Sequence, residues 1–223
     1  MTTARSYVLP FVVYLFGASV AAQLPSVYPL AYALVVAVVA IVSWRLLRGR
    51  GIVVPHWRVG TAILVGLAGI VLWIGLSELR VEARIAVHLP GWLRPGSRVA
   101  YNPFDELSQP LAVWGFVGLR LIGLVVLVPL AEELFWRGFL LRWLISENWK
   151  DVPLGQFSAA SFLVVTLLFT LAHPEWLAAA GYCALLNGFF YWKRDLWNCI
   201  VAHGVSNLVL GLYVLTTGAW WLW

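Results

Sequence analysis

The clearest shortage in this sequence is of charged side chains. Asp, Glu, Lys and Arg make up 11% of the 223 residues, whereas hydrophobic residues make up 62%. An ordinary soluble domain carries roughly 25% charged residues, because its surface has to be hydrated. The shortage excludes a soluble globule with a wet surface, and it predicts a protein that lies mostly in lipid.

Cysteine is also scarce. The chain has two, Cys183 and Cys199, and both stand in apolar stretches. They offer no multi-bridge disulfide framework and lack the paired spacing of a zinc site, so we interpret both as small buried side chains. The net charge of +5 falls in short segments between apolar runs. It therefore indicates an orientation in the membrane, and we expect no nucleic-acid partner.

Long apolar runs recur along the whole chain, and a membrane-crossing helix needs about 20 predominantly apolar residues. The first run has no small-residue cleavage site after it, so we expect a retained span. The predicted fold class is all-α: a polytopic transmembrane helical bundle of about seven to eight spans. Residues 1–223 would form a single integral membrane domain. Seven spans are predicted, at roughly 7–23, 27–44, 59–77, 110–131 with a helical continuation to 145, 157–173, 175–192 and 197–217.

The basic residues are distributed unevenly between the loops. Lys and Arg in short loops are enriched on the cytoplasmic side of a membrane. A cytoplasmic N-terminus places most of them on that side and places the mixed-charge segment 78–109 outside. The beginning of this segment, "ELRVEARIAVHLPGWL", predicts either a helix on the membrane surface or a solvated loop with one helical turn. The basic residues that this orientation places on the cytoplasmic side are Arg5, Arg45, Arg48, Arg50, Arg58, Arg137, Arg142, Lys150, Lys193 and Arg194.

Several polar residues stand inside the apolar runs, among them Arg120 and Asn187. An ionised side chain at the centre of a membrane helix costs at least about 2.5–3.5 kcal/mol on insertion scales, so such residues indicate function. Residues four apart share one face of a helix. Three motifs have this spacing: "EELFWR" with Glu132, Glu133 and Arg137, "FTLAH" with Phe169 and His173, and "HGVSN" with His203 and Asn207.

Each motif by itself also has a structural interpretation. Glu133 and Arg137 stand in the favourable order for an ion pair along a helix. A lone histidine or asparagine in a span commonly forms a hydrogen bond between helices. Together, however, a second carboxylate, two histidines and an asparagine exceed what packing needs. They match the side chains of a hydrolase that activates water.

The three motifs resemble, in order, the E-E-x-x-x-R, F-x-x-x-H and H-x-x-x-N motifs of the CAAX protease and bacteriocin-processing superfamily. These are intramembrane glutamic endopeptidases that include the type II CAAX prenyl proteases. The flanking "ELFWRGFLLRWL" and "LGLYVLTTGAWWLW" further resemble the CAAX-protease-related proteins of bacteria with exosortase sorting systems. The resemblance implies a catalytic motif region at 130–207.

The resemblance implies roles for four catalytic residues. Glu132 and His173 would hold and deprotonate a water molecule. His203 and Asn207 would donate hydrogen bonds to the oxyanion of the tetrahedral intermediate. No metal and no cofactor would be required.

The remaining motif residues, Glu133, Arg137 and Phe169, would support the site or bind substrate. The resemblance also implies membrane lipid and a protein or peptide anchored in or near the membrane as partners. The location implied is the bacterial inner (cytoplasmic) membrane.

Other mechanisms lack their motifs. The chain has no H-E-x-x-H, no G-x-G-D pair on separate spans and no G-x-S-x-G. A metal held by Glu132, His173 and His203 remains open, because histidine and carboxylate suit zinc. So does a non-proteolytic membrane partner or chaperone of a protein-sorting system. A transporter would be expected to have a second, symmetric broken helix, which is missing.

One feature of the predicted topology conflicts with a shared site. His173 ends a span that begins inside, so it should lie farther out than Glu132 and His203. Either this span is tilted or broken near Pro174, or the fourth span is nearer 121–141.

Overall fold

The structure, a computed structural model, describes residues 3–94 and 100–223. No β-strand occurs within these residues, so the predicted all-α helical bundle is confirmed. Each predicted apolar run forms a helix. The helices are α1 Arg5–Ala22, α2 Tyr28–Leu47, α3 Gly60–Glu78, α4 Val81–Ala86, α5 Pro103–Glu106, α6 Pro110–Ile122, α7 Val128–Glu133, α8 Leu141–Trp143, α9 Ala159–Leu171, α10 Trp176–Lys193 and α11 Leu196–Thr217.

Five helices in the described part of the chain are long and apolar enough to cross a membrane. Helix α9 has 13 residues, or about 20 Å, which is shorter than the roughly 30 Å hydrocarbon layer. Helix α10 has 18 residues but carries Asn187 and Lys193. The count of seven to eight crossings therefore stays a prediction. The five candidates are Arg5–Ala22, Pro25–Leu47, Gly60–Ala86, Pro110–Trp143 and Leu196–Thr217.

Burial in this bundle is the reverse of that in a water-soluble protein. The fully buried side chains include Glu133, Arg137 and Asn187, all at 0% exposure. Large apolar side chains face outward instead, with Leu30 at 75% and Leu111 at 86%. Lipid accepts exposed leucine, whereas a charge within the membrane has to find its partners inside the bundle.

The fourth span is one long helix, Pro110–Trp143, of 34 residues. It contains two π-helical segments, Gly123–Leu127 and Leu134–Leu140, which lie on either side of α7. In a π-helix the hydrogen bonds run from residue i to i+5, and single π turns are frequent at functional sites. The second π segment begins directly after Glu133, and the first ends five residues before Glu132.

Close contacts of small residues hold α11 in place. A β-carbon on Gly66 of α3 would lie 2.5 Å from the carbonyl oxygen of Ala202. A β-carbon on Gly204 would lie 2.7 Å from that of Val125 in the long helix. Small residues allow this approach of helix backbones in lipid. They position α11 between α3 and the long helix, and with it the side chain of His203.

The start of α11 is tied to the loop after α2. Asp195 caps the helix by accepting hydrogen bonds from the backbone amides of Trp197 and Asn198. Its Oδ2 lies 2.6 Å from Nε2 of His56. Burial alone would raise the pKa of the Asp195 carboxyl, but hydrogen bonds from His56, Asn198 and the backbone outweigh it, so the pKa lies below its ordinary value.

The polar segment after α3 forms the short helix α4, of six residues. The carboxylate of Glu82 in this helix accepts a hydrogen bond of 2.6 Å from the backbone amide of Leu177, near the start of α10. Part of the segment, 95–99, lies outside the described residues.

Candidate active site

The four predicted catalytic residues line one cavity of about 90 Å³. Glu132 comes from the end of α7, His173 from the turn after α9, and His203 and Asn207 from α11. A cavity of this size has room for water, since each water occupies about 30 Å³ in the liquid. The structure thus brings side chains from three separate motifs to one cavity within the bundle.

The two adjacent carboxylates have different surroundings. Glu133 is 0% exposed, and its Oε1 accepts hydrogen bonds from His203 Nδ1 at 2.8 Å and from Arg137 at 3.1 Å. Glu132 is 6% exposed and lines the cavity, and its Oε2 has no hydrogen-bond partner among the described residues. Buried polar atoms in proteins nearly always have a partner. Oε2 of Glu133 also has no hydrogen-bond partner among the described residues, so the two carboxylates differ in that Glu132 lines the cavity and Glu133 does not.

Arg137 does not line the cavity. Besides Glu133, it donates from Nε to the side-chain oxygen of Asn187 at 3.0 Å and from Nη2 to the carbonyl oxygen of Cys183 at 3.4 Å. Cys183 and Cys199 are both buried, as predicted. In the sequence, Asn187 stands out only as a polar residue in an apolar run, because its separation of 50 residues from Arg137 gives no local signal.

The two histidines each use Nδ1 in a hydrogen bond. A carbonyl or carboxylate oxygen can only accept, so the nitrogen that bonds it carries the proton. Nδ1 of His203 donates to Glu133, and Nδ1 of His173 donates to the carbonyl oxygen of Phe169 at 2.7 Å. In a neutral ring with the proton on Nδ1, Nε2 is the acceptor nitrogen.

Phe169 orients the ring of His173. The two rings stack with centroids 4.4 Å apart and an interplanar angle of 24°. The Arg137 guanidinium lies 5.5 Å from the centre of the Phe169 ring, and Trp73 meets the His173 ring edge-on at 5.6 Å. Phe169 thus contacts both the guanidinium of Arg137 and the ring of His173.

Asn207 has a structural partner that its motif does not predict. Its side-chain amide donates a hydrogen bond of 2.8 Å to the carbonyl oxygen of Leu124. In this π segment the amide of Val128 bonds the carbonyl of Gly123, five residues earlier. The next bond of that kind would need an N–H at position 129, where Pro129 has none. Asn207 takes the place of this missing donor, while its second N–H is not needed for this bond.

Further residues line the cavity that sequence reasoning did not assign. Tyr182 lies with its ring 5.7 Å from that of His203, and its hydroxyl has no partner among the described residues. Ser206, within the third motif, donates to the carbonyls of Gly66 and Ala202 and so serves packing. In the sequence, the feature that indicates Tyr182 is its polar hydroxyl group within an apolar run.

The end of α9 explains how His173 reaches the same cavity as Glu132 and His203. Helix α9 ends at Leu171 and the chain turns before Pro174, after only about 20 Å of helix. His173 therefore stays at the level of the cavity. The helix from Pro110 to Trp143 contains both predicted positions of the fourth span, 110–131 and 121–141, so the part of it that crosses the membrane stays a prediction.

Among the described residues, no group of three or more His, Cys, Asp or Glu side chains has an arrangement that could hold a metal ion. Glu132, His173 and His203 line the same cavity without forming such a group. Direct measurement of metal content is the test of the zinc alternative.

Comparison with known proteins gives one family match. Residues 114–209 match the family described as type II CAAX prenyl endopeptidase Rce1-like. The match includes all three motifs and covers somewhat less than half of the chain. No curated protein and no solved structure matches. The match supports the resemblance to the CAAX protease and bacteriocin-processing superfamily, and to a CAAX-type intramembrane protease in general.

Proposed function

We propose that this protein is an intramembrane endopeptidase that hydrolyses a peptide bond with a water activated by Glu132 and His173. The observation that carries the proposal is the contrast between the two carboxylates. Oε1 of Glu133 accepts hydrogen bonds from His203 and Arg137, and Glu133 does not line the cavity, whereas Glu132 lines it together with His173.

Glu132 and His173 both accept hydrogen bonds from the same water molecule. The carboxylate of Glu132 takes the water proton while the water oxygen attacks the scissile carbonyl carbon. Nε2 of His173 accepts the second hydrogen bond of the water and orients it. When the C–N bond breaks, the proton passes from Glu132 to the leaving amine.

His203 and Asn207 serve the oxyanion. To donate from Nε2 while Nδ1 is bonded to Glu133, His203 has to carry a proton on both ring nitrogens, and that positive charge would balance the second carboxylate of the site. Asn207 donates its remaining N–H. Donors aimed at the oxyanion each contribute about 2.7–4 kcal/mol to the transition state.

The other motif residues act as supports. Glu133 holds the ring of His203 through Nδ1, and Arg137 neutralises Glu133 within a bundle where an unpaired charge would be costly. Their complete burial favours support over substrate binding. Phe169 holds the ring of His173.

The substrate class follows from the surroundings of the site. A cavity inside an apolar bundle suits a protein or peptide anchored in or near the membrane, and lipid is the other partner. We place the protein in a bacterial inner membrane with a cytoplasmic N-terminus, and we associate it with an exosortase sorting system on the resemblance of its flanking segments.

The decisive experiment compares the termini of membrane proteins in cells that carry the wild type or Glu132→Gln. Glutamine has nearly the same shape but cannot take a proton, so we expect termini generated by the wild type to disappear. Glu78→Gln, at an exposed position at the end of α3, is the matched control and should leave the termini unchanged. Termini that persist in a folded, inserted Glu132→Gln protein would refute the glutamic mechanism.

A further inference from the structure

A second cavity, of about 290 Å³, lies beside the candidate active site. Arg120 of the long helix lines it, together with Tyr28 and Tyr32 of α2 and Trp223. Arg120 is only 7% exposed, yet it belongs to none of the motifs. The proposed reaction does not use it.

Arg120 has no carboxylate partner among the described residues. Its guanidinium donates to the hydroxyl of Tyr28 and lies 5.0 Å from the ring centre of Tyr32 and 5.3 Å from that of Trp223. Aromatic faces attract a cation but leave its net charge in place. Arginine stays protonated in proteins. The cavity therefore has a buried positive charge that is not neutralised by a described side chain.

Three buried donor atoms of residues that line this cavity also have no hydrogen-bond partner among the described residues. They are Nε of Arg120, the hydroxyl of Tyr32 and Nε1 of Trp223. Arginine and tryptophan nitrogens can only donate, and the tyrosine hydroxyl can donate as well. A planar guanidinium with neighbouring donors is the arrangement that binds a carboxylate or a similar oxyanion.

The second cavity adjoins the first. Tyr14, Leu124 and Trp223 line both. Arg120 and Glu132 are twelve residues apart on one helix, or about 18 Å along its axis. An extended peptide covers this distance with about five residues. One substrate chain is long enough to reach both cavities.

We propose that the Arg120 cavity binds a carboxylate of the substrate peptide, about five residues from the scissile bond. This inference rests on the proposed function, because it assigns the occupant of the second cavity to the peptide cleaved in the first. The carboxylate belongs either to the C-terminus of the peptide or to an acidic side chain.

Binding can be measured without cleavage. The full chain carrying Glu132→Gln is placed in nanodiscs of zwitterionic phospholipid and titrated with fluorescent apolar decapeptides. One pair differs only in a free or amidated C-terminus, and a second pair has Glu or Gln at an internal position. We expect the carboxylate member of one pair to bind roughly tenfold to a hundredfold more tightly.

Substitutions at the cavity then test the assignment. Arg120→Gln should abolish the preference while leaving the affinity for the uncharged peptide unchanged, and Tyr32→Phe should reduce it. Arg84→Gln, at an exposed position in α4, is the control and should keep it. The pair that shows the preference identifies the source of the carboxylate.

Several results would overturn the assignment. Equal affinity within both pairs, or no measurable binding, excludes a carboxylate site. An equal loss for both members in Arg120→Gln shows a structural role. If the protein does not discriminate between the peptides of a pair and added anionic phospholipid competes with both, the cavity is a lipid site. If the preference for the carboxylate peptide is preserved but Glu132→Gln still cleaves as fast as the wild type, the proposed function is rejected and the binding site is retained.

Discussion

Replacing Asn207 with alanine separates two roles that the structure combines in one side chain. The amide bonds the carbonyl oxygen of Leu124, which Pro129 leaves without a helical donor, and the same side chain lines the candidate active site. The first role predicts a loss of stability. The second predicts a loss of turnover in the molecules that remain folded.

The stability loss can be estimated from the hydrogen bond. Bonds of this kind between membrane helices contribute about 0.6–2 kcal/mol. Pro129→Ala restores a backbone N–H within reach of Leu124 in the π segment. In that background Asn207→Ala should therefore lower the free energy of unfolding by less, and the difference between the two losses is the coupling energy of a double-mutant cycle.

The loss of turnover has a different magnitude. An oxyanion donor acts on charge that exists only in the transition state, so its removal slows catalysis by about 10²–10³ with little change in substrate affinity. Thermal unfolding and turnover of a confirmed substrate are measured on the same preparation. Normal turnover per folded molecule in Asn207→Ala would refute the oxyanion role. An equal stability loss with and without Pro129 would refute the explanation of the Leu124 bond.

Three further predictions follow from the packing, the loop contact and the site chemistry. Gly66→Ala places a β-carbon 2.5 Å from the backbone of Ala202 and should lower the unfolding temperature and turnover together, whereas Gly75→Ala in the same helix meets nothing within 4 Å and should leave both unchanged or raise stability slightly. Asp195→Asn keeps the helix cap but loses the negative charge that His56 contacts. Because the pKa of Asp195 is lowered in the folded protein, the wild type should have a higher free energy of unfolding than the variant at pH 7 in chemical denaturant. This difference should vanish as the pH falls below about 4. Chelators should leave turnover intact and elemental analysis should find no stoichiometric zinc; one zinc per chain would favour the metal mechanism.

The amino-acid sequence determined those features that depend on local periodicity and composition. The scarcity of charge placed the chain in lipid, and each apolar run forms a helix near its predicted bounds. The spacing of four residues brought Glu133 and Arg137 together, because such residues are neighbours on any helical surface. The same rule places the carbonyl of Phe169 next to the ring of His173.

Only the tertiary structure decided which groups meet across the bundle. His203 bonds Glu133 from 70 residues away, and this contact distinguishes the occupied carboxylate from Glu132. The bond from Asn207 to Leu124 spans 83 residues and depends on a π turn that no composition rule signals. Such contacts require a particular packing of the helices. The hydrophobic pattern specifies this packing only weakly, because the helix faces that contact lipid are as apolar as those that contact other helices. The polar residues can therefore be identified from the periodicity of the sequence, whereas their partners depend on how small residues let the helices pack together.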